Sequence, residues 1–339
     1  MSFLEIDIVE DVVPLGKQLG VHPPQNVPEK LATPLFGEPE LTALETGNYV
    51  GDQDIPTMNT YAILDAAKMP YLLTGILENS NLRFESLFQG QVQEELQEQA
   101  PYLVQLSPSN DLTRYLLTNS EGINGLWERD LGIYIRSRAS FKKVRRHFRK
   151  FIRIQDNNDK WYFFRFWESS YSFDYFPALG KSLEHVRRWF LIDGRWPVSL
   201  YIPCKEESSV VCVRPSESLP YSSSNMPIRY GLIEASSLSK TRLKNFSRVL
   251  DERLCDACHN FRNMPLHRRE QIIITLTKQA KEYGIAVEQA VADYAMATIL
   301  FKRSLDSDPV MRKILSSDRH ALDRAEALVS EVETRKVKG

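Results

Sequence analysis

The chain of 339 residues is long enough for two domains, each with a core of its own. Hydrophobic residues make up 42% and charged residues 26% of it, which is ordinary for a soluble globular protein. No apolar run reaches the roughly 18 residues that a membrane span needs, and the acidic first residues differ from the basic start of a signal peptide. We therefore expect a cytoplasmic protein whose four cysteines are reduced thiols.

Charge is distributed unevenly along the chain. The first 60 residues hold two basic and ten acidic side chains, so their net charge is −8 and that of the remainder is +7. Seven of the 18 prolines also lie there. Because proline fixes φ and removes a donor, residues 22–40 predict an irregular segment, although residues 4–13 could form a strand. We favour an acidic arm packed over the body; an arm that binds a partner or shields basic residues is the alternative.

From residue 60 onward, short strands alternate with helices. The patterns predict strands at 61–65, 82–90 and 101–106, and helices at 68–78, 91–98 and 111–118. Strands that alternate with helices of this length are typical of a layered domain with a partly parallel sheet. The predicted fold class is therefore an α/β N-terminal lobe, with a mixed sheet and flanking helices, followed by a small all-α C-terminal lobe.

The stretch from Leu131 to Glu168 combines a strand, a basic helix and a hairpin. Residues 131–137 are β-branched and aromatic with period-2 character, which predicts a strand. Ser140 is placed to cap a helix with one apolar face, formed by Phe141, Val144, Phe148, Phe151 and Ile152. Two strand-like runs, 152–155 and 160–168, then flank a turn at 156–159. The unit predicts a sheet-forming core that displays a cationic helix.

The remainder of the chain predicts two further segments and a helical lobe. Residues 172–190 look helical with a break near Pro177, and 198–203 pairs with 209–214 as a second hairpin. Four amphipathic helices follow, at about 243–261, 266–283, 286–304 and 318–334. Asp308 and Pro309 form an N-cap with proline at the first helical position.

The predicted domain organisation has four parts. Residues 1–60 form the acidic, proline-rich arm, and 61–214 the α/β domain. Residues 215–235 form a linker rich in serine and proline, and 236–335 the helical domain.

Motifs for cofactor, metal or catalytic chemistry are weak. The motif from Cys255 to His259 matches the C-x-x-C-H pattern of covalent haem attachment, but it lies inside a predicted amphipathic helix, where cysteine behaves as a small core hydrophobe. Cys204 and Cys212 lie eight residues apart across a hairpin, unlike the ligands of a zinc knuckle. Neither a phosphate loop nor a G-x-S-x-G or H-E-x-x-H motif is present. We therefore expect no cofactor, no metal and no enzymatic activity.

The basic helix is the strongest charge signal in the chain. Between Arg136 and Arg153 there are nine lysines and arginines and no acidic residue. A like-charge run on a helix is usually a solvated face, but this density favours an acidic neighbour. Three neighbours stay open, namely nucleic acid, a protein partner, and the acidic arm through Asp7, Glu10 and Asp11.

Five short blocks, in a fixed order, resemble a known family. They are Tyr61–Ala67, Leu87–Gly90, Ala100–Val104, Ser137–Lys150 and Phe164–Trp167. Together they are similar to the bacterial type VI secretion effector chaperones, or adaptors, long described only as a domain of unknown function. That family usually has Asp-Pro after the last block, whereas Glu168 and Ser169 stand here. The acidic character is kept, and the kink that proline would impose is lost.

The resemblance implies a binding protein without turnover. Such a chaperone binds the N-terminal region of a cognate toxic effector, keeps it soluble and loads it onto the VgrG spike, with no membrane or nucleic-acid partner. The candidate protein-binding residues are Lys142, Arg145, Arg146, Arg149, Arg165, Trp167 and Glu168. The alternative function is a nucleic-acid-binding protein that uses the basic helix 140–153.

Arg165 and Trp167 allow two interpretations. In an alternating strand they share one face, while Phe164 and Phe166 take the other. A tryptophan beside an arginine is either a stacked structural pair or a binding hot spot, and the central position of this strand favours the structural role.

Overall fold

The computed structural model describes residues 2–18, 20, 22–46, 55–122, 124–155, 159–217, 219 and 231–338. The chain divides into two compact units, residues 1–238 and residues 239–339. Most of the predicted linker, from 220 to 230, lies outside the described residues, as do residues 156–158 of the predicted turn.

The first unit is built on a seven-stranded sheet. Its strands are β1 (Leu4–Val9), β2 (Asn59–Asp65), β3 (Phe84–Ser86), β4 (Pro101–Leu106), β5 (Gly132–Ser137), β10 (Ser199–Cys204) and β11 (Ser209–Pro215), in the spatial order β1-β11-β10-β5-β2-β4-β3. Two separate hairpins pair β6 (Arg153–Gln155) with β7 (Trp161–Phe163), and β8 (Leu191–Ile192) with β9 (Trp196–Pro197).

Eight helices of this unit accompany the strands. They are α1 (Glu29–Phe36), α2 (Ala43–Thr46), α3 (Leu72–Glu78), α4 (Gln91–Glu95), α5 (Asp111–Leu116), α6 (Phe141–Arg149), α7 (Ser169–Ala178) and α8 (Leu183–Phe190). Short 3₁₀ turns occur at Ala66–Lys68, Gln97–Gln99, Trp127–Arg129 and Leu179–Lys181. The last of these separates α7 from α8, which confirms the predicted break near Pro177.

The sheet has a hydrophobic core on each face. On β2, Tyr61 and Ile63 belong to one core, and Ala62 and Leu64 to the other. Helices α6, α7 and α8 cover the first face, and α1, α3 and α5 cover the second. Strands covered on both faces read as continuous apolar runs rather than alternating ones. The predicted class, a helix-flanked sheet followed by a helical lobe, is confirmed.

The predicted parallel pairing is wrong, because every pairing between the described strands is antiparallel. The helix α3 does connect two strands of the same direction, β2 and β3, but β4 lies between them. In the same way β4 and β5 run parallel to each other on either side of β2. Helices α3 and α5 therefore each connect two strands that run in the same direction. In both cases a third, antiparallel strand lies between the two connected strands.

The N-terminal segment is more regular than its prolines predicted. Strand β1 forms one edge of the sheet against β11, and α1 lies inside the segment 22–40. Leu31 and Leu35 of α1 are fully buried in the core of the second face. The expectation of an irregular segment is thus wrong, because burial of two leucines outweighs the one helical hydrogen bond that Pro34 removes.

The second unit is helical, as the sequence predicted. It contains α10 (His259–Arg262), α11 (Leu266–Glu282), α12 (Glu288–Phe301), α13 (Pro309–Leu315) and α14 (Ala321–Lys338), and most of α9 (Leu232–Ala257). The Asp308 side chain caps α13 by accepting hydrogen bonds from the Val310 and Met311 amides. One expected helix, 243–261, is instead two, since Cys258 lies between α9 and α10 in an extended conformation. Within the described residues, no helix has the length and apolar character to cross a membrane.

Candidate protein-binding surface

Helix α6 attaches to the sheet through the apolar face that its sequence predicted. Phe141, Val144 and Phe148 are buried, and so is Phe151 just beyond the helix. Ser140 occupies the N-cap position, although its side chain makes no capping hydrogen bond. The cations of the helix consequently lie on the opposite side, toward solvent.

The cations of α6 reach different neighbours. The Arg145 guanidinium donates to the backbone carbonyl of Ser86 at 2.8 Å and lies 3.2 Å from a Glu85 carboxylate oxygen. Arg149 donates to the side chain of Gln89. Arg146 instead pairs with Asp193 at 2.7 Å, whereas Lys142 is exposed. The helix thus turns Arg145 and Arg149 toward the segment 85–89, and Arg146 toward the β8–β9 hairpin.

Two further arginines of the basic run are structural. Arg136 and Arg138 are both 4% exposed, and they hold the N-terminal segment on the sheet. Arg136 donates to the carbonyls of Pro34 and Gly37. Arg138 donates to the Pro39 and Pro56 carbonyls, and its Nε lies 3.3 Å from the buried Glu45 carboxylate. The acidic segment therefore does neutralise part of the basic run, at the end of β5.

The acids that were expected to shield the basic helix have other partners. Asp7 pairs with Arg214, and Asp11 with Lys30 at 3.2 Å. The carbonyl of Glu10 also accepts from Lys30. The intramolecular interpretation through these three acids is wrong, because β1 lies at the far edge of the sheet, next to β11.

The β6–β7 hairpin presents aromatic rings outward. Ile154 and Tyr162 face each other across the hairpin, with Ile154 buried. Alternation then places Trp161 and Phe163 on the other face together with Arg153, which pairs directly with Phe163. Trp161 is 56% and Phe163 50% exposed, and the Arg153 guanidinium lies 5.9 Å from the centroid of Trp161. This face of the hairpin is therefore both aromatic and cationic.

Residues after the hairpin turn into the molecule around Asp65. The buried Asp65 carboxylate accepts from the Trp167 indole N–H at 2.9 Å and from the Arg165 guanidinium. Its second oxygen accepts from the Ala67 amide at 3.0 Å. Trp167 is 1% exposed, whereas the Arg165 side chain is 38% exposed, and its Nε lies 3.9 Å from the Glu168 carboxylate. A fully hydrogen-bonded buried carboxylate of this kind fixes the position of the arginine that it holds.

The predicted alternation of residues 164–167 is wrong. Phe164, Phe166 and Trp167 are all buried, because β7 ends at Phe163 and the chain then turns under α6 and α7. Burial of Trp167 agrees with the structural interpretation of this residue. Contact of its ring with a partner would require the surrounding core to open.

We define the aromatic–basic surface as Arg149, Arg153, Trp161, Phe163 and Arg165. Ring contacts connect its parts, since Phe163 lies 5.6 Å from Phe88 and 5.8 Å from Trp167, centroid to centroid. Phe88 in turn precedes Gln89, the partner of Arg149. Of the predicted site residues, the structure brings Arg149 and Arg165 to this surface and places Arg145 beside it. Arg146 points elsewhere, Lys142 lies at the first turn of α6, and Glu168 borders Arg165.

The Arg149 guanidinium is partly buried and lies near a second cation, Arg145. Partial burial lowers the pKa of the Arg149 guanidinium, and the neighbouring charge of Arg145 lowers it further. Arg149 stays charged at neutral pH, because a guanidinium is not deprotonated in proteins. Arg145 lies beside the Glu85 carboxylate, whereas Arg149 donates to the neutral side chain of Gln89, so the charge of Arg149 favours an acidic partner.

Sequence reasoning missed Trp161 and Phe163 as surface residues. Nine residues from Lys160 to Glu168 contain six aromatic rings, and composition alone predicts burial for all of them. The available signal was the cations Arg153 and Lys160 beside the hairpin turn. Rings between cations at an exposed turn are typical of a binding surface.

The four cysteines are divided between the two units. Cys204 and Cys212 are buried on β10 and β11, whereas Cys255 and Cys258 are half-buried against the core of the helical unit. All four are free thiols. In the part of the chain that the structure describes, no three side chains of histidine, cysteine, aspartate or glutamate are grouped so as to hold a metal ion.

Comparison with known proteins finds one family that matches part of the chain. No curated protein and no solved structure matches the chain significantly. The family described as "Domain of unknown function (DUF4123)" matches residues 60–182, somewhat over a third of the chain. The matched span runs from β2 through α7 and includes the whole aromatic–basic surface, while β1, β10, β11 and the helical unit lie outside it. Residues 60–182 are therefore similar to that domain family.

Proposed function

We propose that this protein is a type VI secretion adaptor, a chaperone that binds a cognate toxic effector and loads it onto the VgrG spike. The match of residues 60–182 to the DUF4123 family supports an association with type VI secretion. In this proposal the chain binds and releases other proteins and catalyses no reaction.

The observation that carries the proposal is the exposure of Trp161 and Phe163 beside fixed arginines. A large apolar ring in water costs free energy unless a partner covers it, and aromatic residues with arginine dominate the energetic centres of protein interfaces. The rings lie on a two-stranded hairpin, where Ile154 anchors the opposite face. Arg165 is held by the buried Asp65 carboxylate, so little side-chain entropy is lost when a partner binds.

The charge of the surface indicates the chemistry of the effector segment. Arg149, Arg153 and Arg165 lie around the rings, and of these Arg165 pairs with the buried Asp65 and lies near Glu168. We therefore propose that the bound segment of the effector carries acidic residues next to apolar ones. Acidic groups would pair with the guanidinium groups, while apolar side chains would cover Trp161 and Phe163.

Co-purification tests this function. The tagged full-length chain is expressed together with a candidate toxin and a candidate spike protein from the same genome, and the retained proteins are identified by mass. The double variant Trp161→Ala and Phe163→Ala is expected to lose the toxin and to keep a cooperative melting transition, although the contacts of Phe163 with Phe88 and Trp167 are lost. A matched control replaces Leu266 and Ile274, which are 58% and 63% exposed on α11, by alanine. Retention of the toxin by the hairpin variant, or secretion of the toxin without this protein, contradicts the proposal.

Nucleic acid is a second candidate ligand for the same geometry. Rings flanked by arginines can stack bases of a single strand and track its phosphates. Fluorescence anisotropy with a labelled single-stranded oligonucleotide, over a series of salt concentrations, distinguishes the two ligands. Micromolar or tighter binding that falls steeply with salt would support nucleic acid. Weak binding without a steep salt dependence, together with capture of the toxin, supports the adaptor function.

A further inference from the structure

Strand β1 leaves part of its backbone open at the edge of the sheet. The register pairs Glu5 with Arg214 and Asp7 with Cys212. The Ser216 amide donates to the Phe3 carbonyl at 2.9 Å, which identifies the odd-numbered residues of β1 as those bonded to β11. Because an antiparallel ladder alternates, the amides and carbonyls of Leu4, Ile6 and Ile8 point away from β11.

At two of the outward positions, side chains already hydrogen-bond the backbone groups, in agreement with this alternation. The hydroxyl of Ser2 donates to the Leu4 carbonyl at 2.9 Å and accepts from the Leu4 amide at 3.1 Å. At the other end, Lys30 donates to the Glu10 carbonyl at 2.9 Å. Between these two closures lie Ile6 and Ile8, whose outward backbone groups meet no other strand among the residues described.

The side chains at the same two positions are also uncovered. Ile6 is 45% and Ile8 54% exposed. Their direct partners on β11, Val213 and Val211, are buried in the core of the first face. The edge therefore presents unpaired peptide groups together with an incomplete apolar row. Neither a lysine nor a proline interrupts it, and such residues are the usual protection of an edge strand.

The opposite side of β1 is acidic. Glu5 and Asp7 share a single guanidinium, that of Arg214, at 3.0 Å from Glu5, so one negative charge is left over. All three side chains are substantially exposed. A strand laid along β1 would place every second side chain beside these carboxylates, where a basic residue is favoured.

We propose that the β1 edge binds an extended segment of another protein by strand addition, and that this segment alternates apolar with basic residues. Its apolar side chains extend the row of Ile6 and Ile8, and its basic ones face Glu5 and Asp7. Its backbone pairs with the outward amides and carbonyls of the two isoleucines.

A second copy of this chain fits the edge poorly. Two β1 strands related by a two-fold axis pair through even-numbered residues. Ile6 then lies opposite either Ile6 or Ile8 of the second copy. The first register sets Asp7 against Glu5, and the second sets Asp7 against Asp7. Like charges directly opposite each other destabilise a sheet, so a partner with basic residues is favoured over self-association.

The site is separate from the aromatic–basic surface and from the span 60–182 that matches the family. It therefore gives the protein a second docking surface, with the opposite preference for charge. The inference does not depend on which protein contacts Trp161 and Phe163.

Selection of peptides against the full-length chain tests the proposal. The probe is a display library of short random peptides, from which enriched sequences are synthesised and their affinities measured. We expect peptides that alternate apolar and basic residues, and hydrogen exchange at the Ile6 and Ile8 amides that slows when such a peptide is bound. The proposal would be overturned if the enriched peptides lacked this alternation. It would also be overturned if a bound peptide left hydrogen exchange at the Ile6 and Ile8 amides unchanged.

Two proline substitutions distinguish loss of peptide binding at the β1 edge from loss of folding stability. Ile8→Pro removes an outward amide and the exposed Ile8 side chain but no hydrogen bond to β11, so the ladder to β11 and the melting temperature are expected to survive. Its affinity for the selected peptide should fall roughly tenfold or more, because one hydrogen bond and the contact with the Ile8 side chain are lost. Asp7→Pro is the matched control, since it removes an inward amide and should lower the melting temperature. Equal peptide affinity in Ile8→Pro and the wild type would contradict strand addition. The double variant Trp161→Ala and Phe163→Ala should bind the peptide with wild-type affinity, because these residues lie outside the β1 edge.

Discussion

The two halves of the aromatic run after Lys160 have similar composition and opposite exposure. Trp161 and Phe163 are at least half exposed, whereas Phe166 and Trp167, a few residues later, are at most 1% exposed. The first half lies on a two-stranded hairpin outside the main sheet, where Trp161 is exposed and Phe163 contacts Phe88 and Trp167 with part of its ring. The second half turns under α6 and α7, where rings such as Phe148 stack on Phe166 at 5.7 Å. What lies beneath a ring, rather than the ring itself, decides whether it stabilises the fold or offers a binding surface.

The basic run divides in the same way. Arg138 is buried against Glu45 and three backbone carbonyl or carboxylate partners, while Arg146 and Lys142 lie at the surface. A charge count treats all nine cations alike. Matched substitutions in the buried and exposed members of each set can test this division.

The largest expected effect is the contrast between the two tryptophans. Trp167→Ala removes a fully buried ring and leaves the Asp65 carboxylate without its indole donor, so it should lower the free energy of unfolding by about 3–5 kcal/mol. Trp161→Ala removes an exposed ring and should change that free energy by less than about 0.5 kcal/mol. Urea unfolding measures both. Unchanged stability of Trp167→Ala, combined with loss of partner binding, would reverse the assignment of these residues.

The second contrast concerns two arginines. Arg138→Ala leaves Glu45, which is 1% exposed, buried without its cation, and should cost about 3–5 kcal/mol of folding stability. Arg146→Ala breaks an exposed pair with Asp193 and should cost less than about 1 kcal/mol. Thermal melting of the two variants checks this difference. Similar melting temperatures would show that the N-terminal segment is not held as the contacts indicate.

The third prediction uses a buried histidine that the sequence did not single out. His147 lies inside the core, where burial lowers its pKa to about 4, although its ring hydrogen-bonds the Trp189 carbonyl at 2.9 Å. In the unfolded chain its pKa is about 6.5, so the unfolded state takes up a proton that the folded state refuses. The stability that this residue contributes is complete above about pH 6.5 and should fall by roughly 3 kcal/mol as the pH drops to about 4.

A non-titrating variant isolates this effect from the carboxylates that also titrate in acid. His147→Gln keeps a donor for the Trp189 carbonyl and cannot be protonated in this range. Urea midpoints of the variant should depend less steeply on pH between 6.5 and 4 than those of the wild type. Parallel pH profiles of the two proteins would show that His147 is accessible to protons in the folded state.

Local patterns predicted much of the fold, because periodicity reports which face of an element is buried. Strand β4 was predicted at residues 101–106, where it is found, and the capping of α13 by Asp308 was confirmed. The antiparallel order of the sheet could not be predicted, since no local signal shows that β4 lies between β2 and β3. The site was predicted in part. Arg149 was named from the charge of the helix and Arg165 from its place beside Trp167. The exposure of Trp161 depends on a hairpin that only tertiary packing places outside the sheet.

The smallest expected effect on stability separates two cations of the same helix. Arg149→Glu and Lys142→Glu each reverse one charge on α6 and leave its apolar face intact, so both should change the free energy of unfolding by about 1 kcal/mol or less. Their effects on binding should differ. Arg149 lies beside Gln89 and the Phe88–Phe163 contact, so its reversal should weaken capture of the effector at least about tenfold, whereas reversal of the exposed Lys142 should have a smaller effect. Affinities measured with the purified effector at two salt concentrations check this. Equal losses for the two variants would mean that the effector recognises the overall charge of the helix, rather than the surface formed by Arg149 and the hairpin.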